Sequence, residues 1–386
     1  MPAPGLRLAR LTLTDFRNYA TLTWRPAGHL AVLHGPNGSG KTNLLEAVSL
    51  LVPGRGLRGA RLGELARRGP GAAGTWAVAA RLETPAGPLD IGTGSPPEGP
   101  AERRVFRLDG AAPRSQAEVA ARVAAVWLTP QMDRLFQEGP SGRRRFLDRL
   151  VFALEPAHAR EVAAHDTAMA SRNRLLATGR ADPAWLDGLE DAMARHAVAV
   201  TAARAALAQR LTAALAAGAA APFPASRLTL VCPIAERLAA GPALAAEDWL
   251  RATLAAGRAR DAAAGSAAAG AHRADMALAD AATGLPAEQA STGQQKALLI
   301  GVVLGHAALL AEARGFAPLL LLDEPTVHLD AARRAALFAA LLRLPAHGVL
   351  TSADRDTFAP LRGQAEALRV VAGSLLPDAA SDVANA

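Results

Sequence analysis

The parts of one ATP site are written at the two ends of this chain, and any fold it adopts has to bring them together. Gly35-Pro36-Asn37-Gly38-Ser39-Gly40-Lys41-Thr42 spells a complete phosphate loop. Its complements come far downstream, as Ser291-Thr292-Gly293-Gln294-Gln295-Lys296 and Leu319-Leu320-Leu321-Leu322-Asp323-Glu324. Such a chain is expected to build an α/β head from both termini and to carry the residues between as an insertion.

The context of the phosphate loop agrees. Residues 30–34 read as a short buried strand, and residues 42–51 as a helix with apolar side chains on one face. Gly35, Gly38 and Gly40 let backbone N–H groups turn inward, and the helix start adds unpaired donors and a positive dipole end. In that frame Pro36, Asn37, Ser39 and Asn43 line the nucleotide. Lys41 reaches the β- and γ-phosphates, and the Thr42 hydroxyl ligates Mg²⁺. Lys41 and Lys296 are the chain's two lysines; every other basic residue is arginine or histidine. A lysine at position 41 of so arginine-biased a chain marks a place where a planar guanidinium cannot replace a compact ammonium.

The four leucines of 319–322 form a strand buried on both faces that delivers Asp323 to its carboxyl end. Asp323 can then hold the Mg²⁺ shell while Glu324 orients or deprotonates the attacking water. Catalysis is therefore assigned to Glu324, Lys41 and Asp323. Ser291-Thr292-Gly293-Gln294 opens an apolar helix at 297–310 and makes a second helix-start anion site, where Ser291, Gly293 and Gln294 cap a γ-phosphate. One polypeptide does not easily aim both helix starts at the same phosphate. Two subunits sandwiching two ATP molecules do. Both downstream segments are also ordinary capping sequences; their pairing with the phosphate loop selects the nucleotide reading.

Composition bounds the class. The 386 residues suffice for two domains, or for one with a large insertion. Residues 1–10 lack the apolar core of a signal peptide. No run of eighteen or more residues is expected to span a bilayer, since the Ala-rich run 203–222 is interrupted by Arg204 and Arg210. Cys232 is the sole cysteine, which excludes an internal disulfide and fits a reducing cytoplasm. A net charge of +7 and a pI near 10.8 make an acidic polymer such as nucleic acid a reasonable partner.

Along the chain, 6–24 reads as a hairpin, 75–82 and 103–108 as further strands, and the Pro- and Gly-rich stretches 84–100 and 109–113 as loops. Residues 123–128 are an apolar strand stopped at Pro130. From 141 to about 221 the pattern is helical with a break near 179–183; 227–232 is a strand, 247–262 a helix and 265–270 a connector. Strand and helix alternate again afterwards, with a strand at 348–351. The expected division is head 1–138, inserted mainly helical lobe 139–269, head again 270–375 and a flexible tail 376–386. No heptad run is long enough for an extended coiled coil.

Other segments carry a family likeness. They are Phe16-Arg17-Asn18-Tyr19, Pro53-Gly54-Arg55-Gly56-Leu57-Arg58, and Leu128-Thr129-Pro130-Gln131-Met132-Asp133 leading to Gly139-Pro140 and Arg143-Arg144-Arg145-Phe146-Leu147-Asp148. Gly270-Ala271-His272-Arg273-Ala274-Asp275 and residues 291–296 complete the set. In that order they resemble the RecF family, bacterial recombination and repair ATPases of the ABC-type, SMC-related class, over about residues 8–360. The resemblance implies an ABC-type P-loop ATPase head, split between N- and C-terminal segments, that forms a homodimer on ATP binding. It implies binding to double-stranded DNA and single/double-strand junctions, and recombinase loading at gaps with recombination mediator proteins. It further implies weak, DNA-stimulated, Mg²⁺-dependent ATP hydrolysis in replication, recombination and the SOS response to DNA damage, in the cytoplasm and without a membrane. Leu329-Asp330 resembles the D-loop of such ATPases, placing Asp330 at the dimer interface, and Gln131 is the candidate Q-loop contact to Mg²⁺. Ala271 stands where proline is usual, and Asp323-Glu324-Pro325 is closer to transporter ATPases. No histidine follows the 348–351 strand, which leaves Thr351 or Ser352 as the γ-phosphate switch.

DNA binding has support beside the resemblance. Arg143, Arg144, Arg145 and Arg149 fall within about two helical turns, and Arg55, Arg58, Arg61, Arg67 and Arg68 form a second cluster. Clustered arginines fit phosphates bidentately and give steep salt dependence, unless acids such as Asp148 and Glu64 claim them. Few aromatics interleave, which argues against a single-strand stacking platform. The alternative is the ATPase subunit of an ABC transporter, which shares the chemistry but usually fits both motifs into one compact domain. A clamp using ATP only as glue would not need Glu324.

Overall fold

The alternating leucines near the start form the expected hairpin: β1 (Arg7–Phe16) pairs antiparallel with β2 (Tyr19–Trp24). A register shift between Leu8 and Arg10 resets the alternation, so Leu8, Leu11 and Leu13 all face the core. The computed structural model describes residues 5–96, 98, 103–179 and 182–378. β3 (Leu30–His34) is buried throughout and runs through the phosphate loop into α1 (Lys41–Ser49). β4 (Ala77–Thr84), β5 (Gly87–Gly94) and β6 (Val105–Leu108) extend the hairpin into a sheet of order β2-β1-β4-β5-β6. β5 lies where a loop was expected. Its glycines and proline hide an alternation, Leu89 and Ile91 inward, that is stabilised by pairing with β4 rather than by propensity. α2 (Gln116–Arg122), capped by Ser115, leads to β7 (Ala125–Leu128).

The inserted unit begins at residue 135. α3 (Pro140–Leu154), α4 (His158–Ala177) and α5 (Pro183–Ala216) are the expected helical stretch, with Asp182 capping α5 at the break. β8 (Ser226–Val231), α6 (Pro233–Ala240), α7 (Ala243–Ala256), α8 (Arg258–Ala264) and β9 (Asp275–Asp280) follow, and β8 pairs antiparallel with β9. The single helix expected at 247–262 is two, divided at Gly257. Met193, Ala197, Val198, Leu250 and Leu254 centre its core. The wholly buried Arg172 donates to Glu190 (2.9 Å), Asp261 (2.9 Å) and the Leu254 carbonyl (2.8 Å), so its charge is compensated where water cannot reach.

α9 (Thr292–Arg314), β10 (Leu319–Leu322), α10 (Ala331–Arg343), β11 (Gly348–Ser352), β12 (Glu366–Val371) and β13 (Ser374–Pro377) complete the head. Their sheet runs β13-β12-β3-β11-β10-β7, parallel except for the edge strand β13. Both sheets of the head share one apolar core, into which α1 sends Leu44, Leu45 and Val48. α9 corrects an expectation: it is long and apolar enough to cross a bilayer, its charges falling at its ends. Yet 83% of its apolar window is buried inside the protein, as a core helix requires.

The two units are therefore residues 1–134, 218–224 and 291–386, and residues 135–217 with 225–290. The second takes in 270–290, expected in the head, because β9 pairs with β8. β13 carries regular structure to Pro377, past the expected start of the tail, and 379–386 lie outside the described residues.

Candidate active site

Adjacent parallel strands end side by side and carry the chemistry. β3 runs into the phosphate loop, β11 ends with Thr351 and Ser352, and β10 ends just before Asp323 and Glu324. Leu33 stands opposite Thr351, and Leu322 opposite Leu350. The carboxyl ends of such strands are where open parallel sheets hold ligands.

In the loop, Pro36, Asn37 and Gly38 are exposed, whereas Ser39, Gly40 and Lys41 are buried. Gly35, Gly38 and Gly40 all have positive φ, and a Cβ at Gly35 would stand 2.6 Å from the Val370 oxygen. Lys41 folds back, its Nζ donating to the carbonyls of Gly35 (2.7 Å) and Pro36 (3.0 Å). Burial pulls its ammonium below the usual lysine range, while the carboxylates of Glu324 and Asp323 favour its charge.

Asp323 is the hub. Thr42 Oγ1 donates to its Oδ1 at 2.9 Å, and Thr351 Oγ1 donates to the same oxygen at 2.7 Å. Oxygens this far apart suit neighbouring positions on an octahedral cation with ligands about 2.1 Å away, so Thr42 and Asp323 fit Mg²⁺. Glu324 has a φ of 48°, a left-handed conformation uncommon outside glycine, and Thr351 Oγ1 accepts its N–H at 3.0 Å. Thr351, a candidate for the switch position, is thus wholly buried and joins Asp323 to Glu324. Gln131 is exposed on the turn Pro130–Arg134, and among the described residues no hydrogen bond joins it to Thr42 or Asp323.

The second anion site is a capping box at the start of α9: Ser291 N donates to Gln294 Oε1 (2.9 Å) and Gln294 N to Ser291 Oγ (3.4 Å). Ser291, Thr292 and Gln294 are exposed. A Cβ at Gly293 would lie 3.1 Å from the His328 oxygen, so the helix start abuts the D-loop. There Val327 and His328 are exposed, and Asp330 caps α10 by accepting the Arg333 N–H at 2.8 Å. Lys296 is structural, because it is buried and donates to both oxygens of Asp133 (2.7 and 3.0 Å).

Comparison with known proteins settles the family. The chain is 45% identical over 379 residues to the DNA replication and repair protein RecF of Mesorhizobium japonicum, covering 98% of this chain and 99% of the relative. The chain belongs to the RecF family. Its likeness to the protein of the same name from Allorhizobium ampelinum is 46% over 368 residues, 95% of this chain and 97% of the relative. The solved structure of the recombination mediator protein RecF-ATPrS in the RecFOR pathway superposes with a TM-score of 0.84 at 20% identity, over 98% of this chain and all of that one. A Pyrococcus furiosus Smc head superposes at 0.53 and 14% identity over 96% and 95% of the chains, a likeness of fold alone. No protein-family model matches the chain. The transporter alternative gives way to this membership.

The RecF-like segments can now be placed. Phe16-Arg17-Asn18-Tyr19 braces the phosphate loop: Arg17 pairs bidentately with Glu46 of α1 (2.8 Å twice), Asn18 Nδ2 donates to the Ser39 carbonyl (3.1 Å) and the Tyr19 hydroxyl to that of Gly40 (3.0 Å). Only the family likeness had singled these residues out. An open cleft of about 760 Å³, lined by Arg17, Asn18, Asn43, Glu64, Arg67 and Arg68 among others, adjoins them.

The arginines divide. Arg143 is buried, bidentate with Asp275 (2.8 Å twice), and donates to the Glu138 carbonyl, so the role given it on DNA yields to an ion pair. Arg144 donates to the Ala274 carbonyl, and Arg149 lies over the Phe146 ring, where burial pulls its guanidinium down to about 9, still charged at neutral pH. Of the four, Arg145 alone is exposed. Asp148 is taken by Arg204 and His158 rather than by these neighbours. Arg55, Arg58, Arg61 and Arg68 are exposed, whereas Arg67 is held by Asp15 at 2.6 Å.

Proposed function

We propose that this chain is an ATP-gated DNA-binding protein of recombinational repair and replication maintenance. ATP and Mg²⁺ draw two copies together, the pair holds duplex DNA or a single/double-strand junction, and slow hydrolysis releases it. The observation that carries the reading is the division of labour on one head. The phosphate loop, Asp323, Glu324 and Thr351 form one connected cluster, while the start of α9 offers exposed Ser291 and Gln294 bonded to each other. A second copy's γ-phosphate is the ligand that such a helix start suits. Val327 and His328, exposed beside Asp330, fit the same seam.

The residues act in named ways. Nucleotide phosphates replace the Gly35 and Pro36 carbonyls as partners of Lys41, and the loop N–H groups cradle them. Thr42 and Asp323 would hold Mg²⁺, which neutralises phosphate charge when bound. Glu324, its N–H pinned by Thr351, accepts a hydrogen bond from the attacking water and orients it. Arg55, Arg58, Arg61, Arg68 and Arg145 present charge to the DNA backbone. Mediator partners are inferred from the RecF relatives, whose names place them in replication and repair and in a RecFOR pathway, and a cytoplasmic setting from the sole cysteine, Cys232.

Fluorescence anisotropy of a labelled gapped duplex, titrated with and without ATP at two salt concentrations, tests this. Binding should require ATP and weaken steeply with salt. Equal binding without nucleotide would refute the gating.

A further inference from the structure

A continuous chain of hydrogen bonds runs from an exposed arginine to the backbone of the phosphate loop. Arg58 donates to Asn43 Oδ1 (2.8 Å), Asn43 Nδ2 donates to Asn18 Oδ1 (2.7 Å), and Asn18 Nδ2 donates to the Ser39 carbonyl oxygen (3.1 Å). Each end has a single role, since a guanidinium only donates and a backbone carbonyl only accepts. The two amides between them can therefore point only one way, and the relay is polarised from end to end.

The inner end bears on the groups that hold phosphate. A trans peptide is planar, so its C=O and N–H point in opposite directions. By holding the Ser39 oxygen, Asn18 aims the Gly40 N–H away from the hairpin. Tyr19 does the same for the next peptide, holding the Gly40 oxygen and aiming the Lys41 N–H. The contact is close: a Cβ at Gly40 would stand 2.5 Å from Asn18 Nδ2 and 2.9 Å from the Tyr19 hydroxyl.

The outer end is a charge that can leave. Arg58 also lies 3.8 Å from Glu46, but that buried carboxylate already has a bidentate partner in Arg17. Arg58 can turn to an external anion without stranding it. Beneath the loop, Arg104 donates to the carbonyls of Val52 (3.0 Å) and Gly54 (2.7 Å), so the backbone leading to Arg58 is itself held.

We propose that Asn18 and Asn43 are positioning residues that couple the phosphate cradle to what Arg58 holds. When Arg58 takes a polynucleotide phosphate, Asn43 loses its donor and the relay that sets the Ser39–Gly40 peptide is released, a local loss of nucleotide affinity that opposes the gain from pairing two ATP-bound copies. The proposal rests on the DNA-binding reading of Arg58. By linkage, whatever factor DNA applies to ATP affinity, ATP applies to DNA affinity.

The test is binding of a fluorescent ATP analogue to the full-length chain carrying Glu324→Gln to stop hydrolysis, with and without saturating duplex DNA. Further variants are Asn18→Leu, which keeps the size but not the donor, Tyr19→Phe and Asn43→Leu, with thermal unfolding followed in parallel. Without DNA, Asn18→Leu should weaken the nucleotide about tenfold, the net contribution of one hydrogen bond, and Tyr19→Phe about threefold, with unfolding midpoints close to the parent's. DNA should raise nucleotide affinity severalfold more in Asn18→Leu and Asn43→Leu than in the parent, where release of the relay offsets part of the gain. Unchanged nucleotide affinity in Asn18→Leu overturns the positioning role, and a DNA shift in both variants equal to the parent's overturns the coupling while the DNA-binding reading stands. A parent that binds no DNA overturns both together.

Discussion

Replacing Thr351 with valine keeps the shape of a wholly buried side chain and removes one hydroxyl, which makes it a sharp probe of the catalytic cluster. That hydroxyl donates to Asp323 at 2.7 Å and accepts the Glu324 N–H at 3.0 Å. A hydrogen bond to an ionised group contributes about 1.5–3 kcal/mol, and Asp323 keeps Thr42 as a partner. The Glu324 N–H has no such reserve, and leaving it unsatisfied costs about 1–3 kcal/mol. It also pins a residue at a φ of 48°, a conformation that survives only where its surroundings impose it. In Thr351→Val, Glu324 relaxes, and the carboxylate leaves the position from which it orients water. About 2 kcal/mol of lost positioning corresponds to roughly a thirtyfold slower hydrolytic step. ATP affinity should change far less, because Lys41 and the loop N–H groups remain. Single-turnover hydrolysis, with ATP affinity measured separately, reads the two effects, and Thr351→Ser should restore both hydrogen bonds. A valine variant hydrolysing at the wild-type rate, or a serine variant as slow as the valine one, would refute the reasoning.

Other predictions follow from the same geometry. Arg143→Ala should destabilise the inserted unit by about 3 kcal/mol, since it leaves Asp275 partly buried without its guanidinium, whereas Arg145→Ala should leave stability unchanged and lower the salt dependence of DNA binding by about one phosphate contact. Denaturant midpoints and salt titrations separate them, and the reverse pattern would show the two arginines misassigned. His347 is buried, and among the described residues neither of its ring nitrogens has a hydrogen-bond partner; burial, helped by Arg7 and His29, pushes its pKa from 6.5 down to about 4. The unfolded chain then takes up a proton that the folded one refuses, so this contribution is complete above pH 6.5 and declines as pH falls towards 4, by up to about 3 kcal/mol. Denaturation at pH 7.5, 6 and 5 should show that slope, and His347→Leu should flatten it; equal slopes would rule the residue out.

The elements that could be read ahead of the structure were those whose chemistry is local. The phosphate loop, the leucine strand before Asp323 and the capping box of Ser291 and Gln294 each declare themselves within a few residues. What escaped depends on pairing across the chain. β5 becomes a strand because β4 offers a partner, and 270–290 join the insert because β9 finds β8. Arg143 looked like its neighbours until Asp275, far off in sequence, proved to hold it. α9 is apolar all round because it is surrounded by protein, a fact that hydropathy cannot separate from a membrane span. Asn18 in the hairpin turn and Tyr19 at the start of β2 have no motif chemistry of their own; they act through the carbonyls of Ser39 and Gly40.

The most direct test of the central claim is sedimentation of the Glu324→Gln variant with ATP and Mg²⁺, with and without duplex DNA. The account predicts a dimer that forms only with ATP and that carries DNA along at low salt and releases it at high salt. A variant that binds ATP yet sediments as a monomer, with or without DNA, would contradict the shared site between two heads.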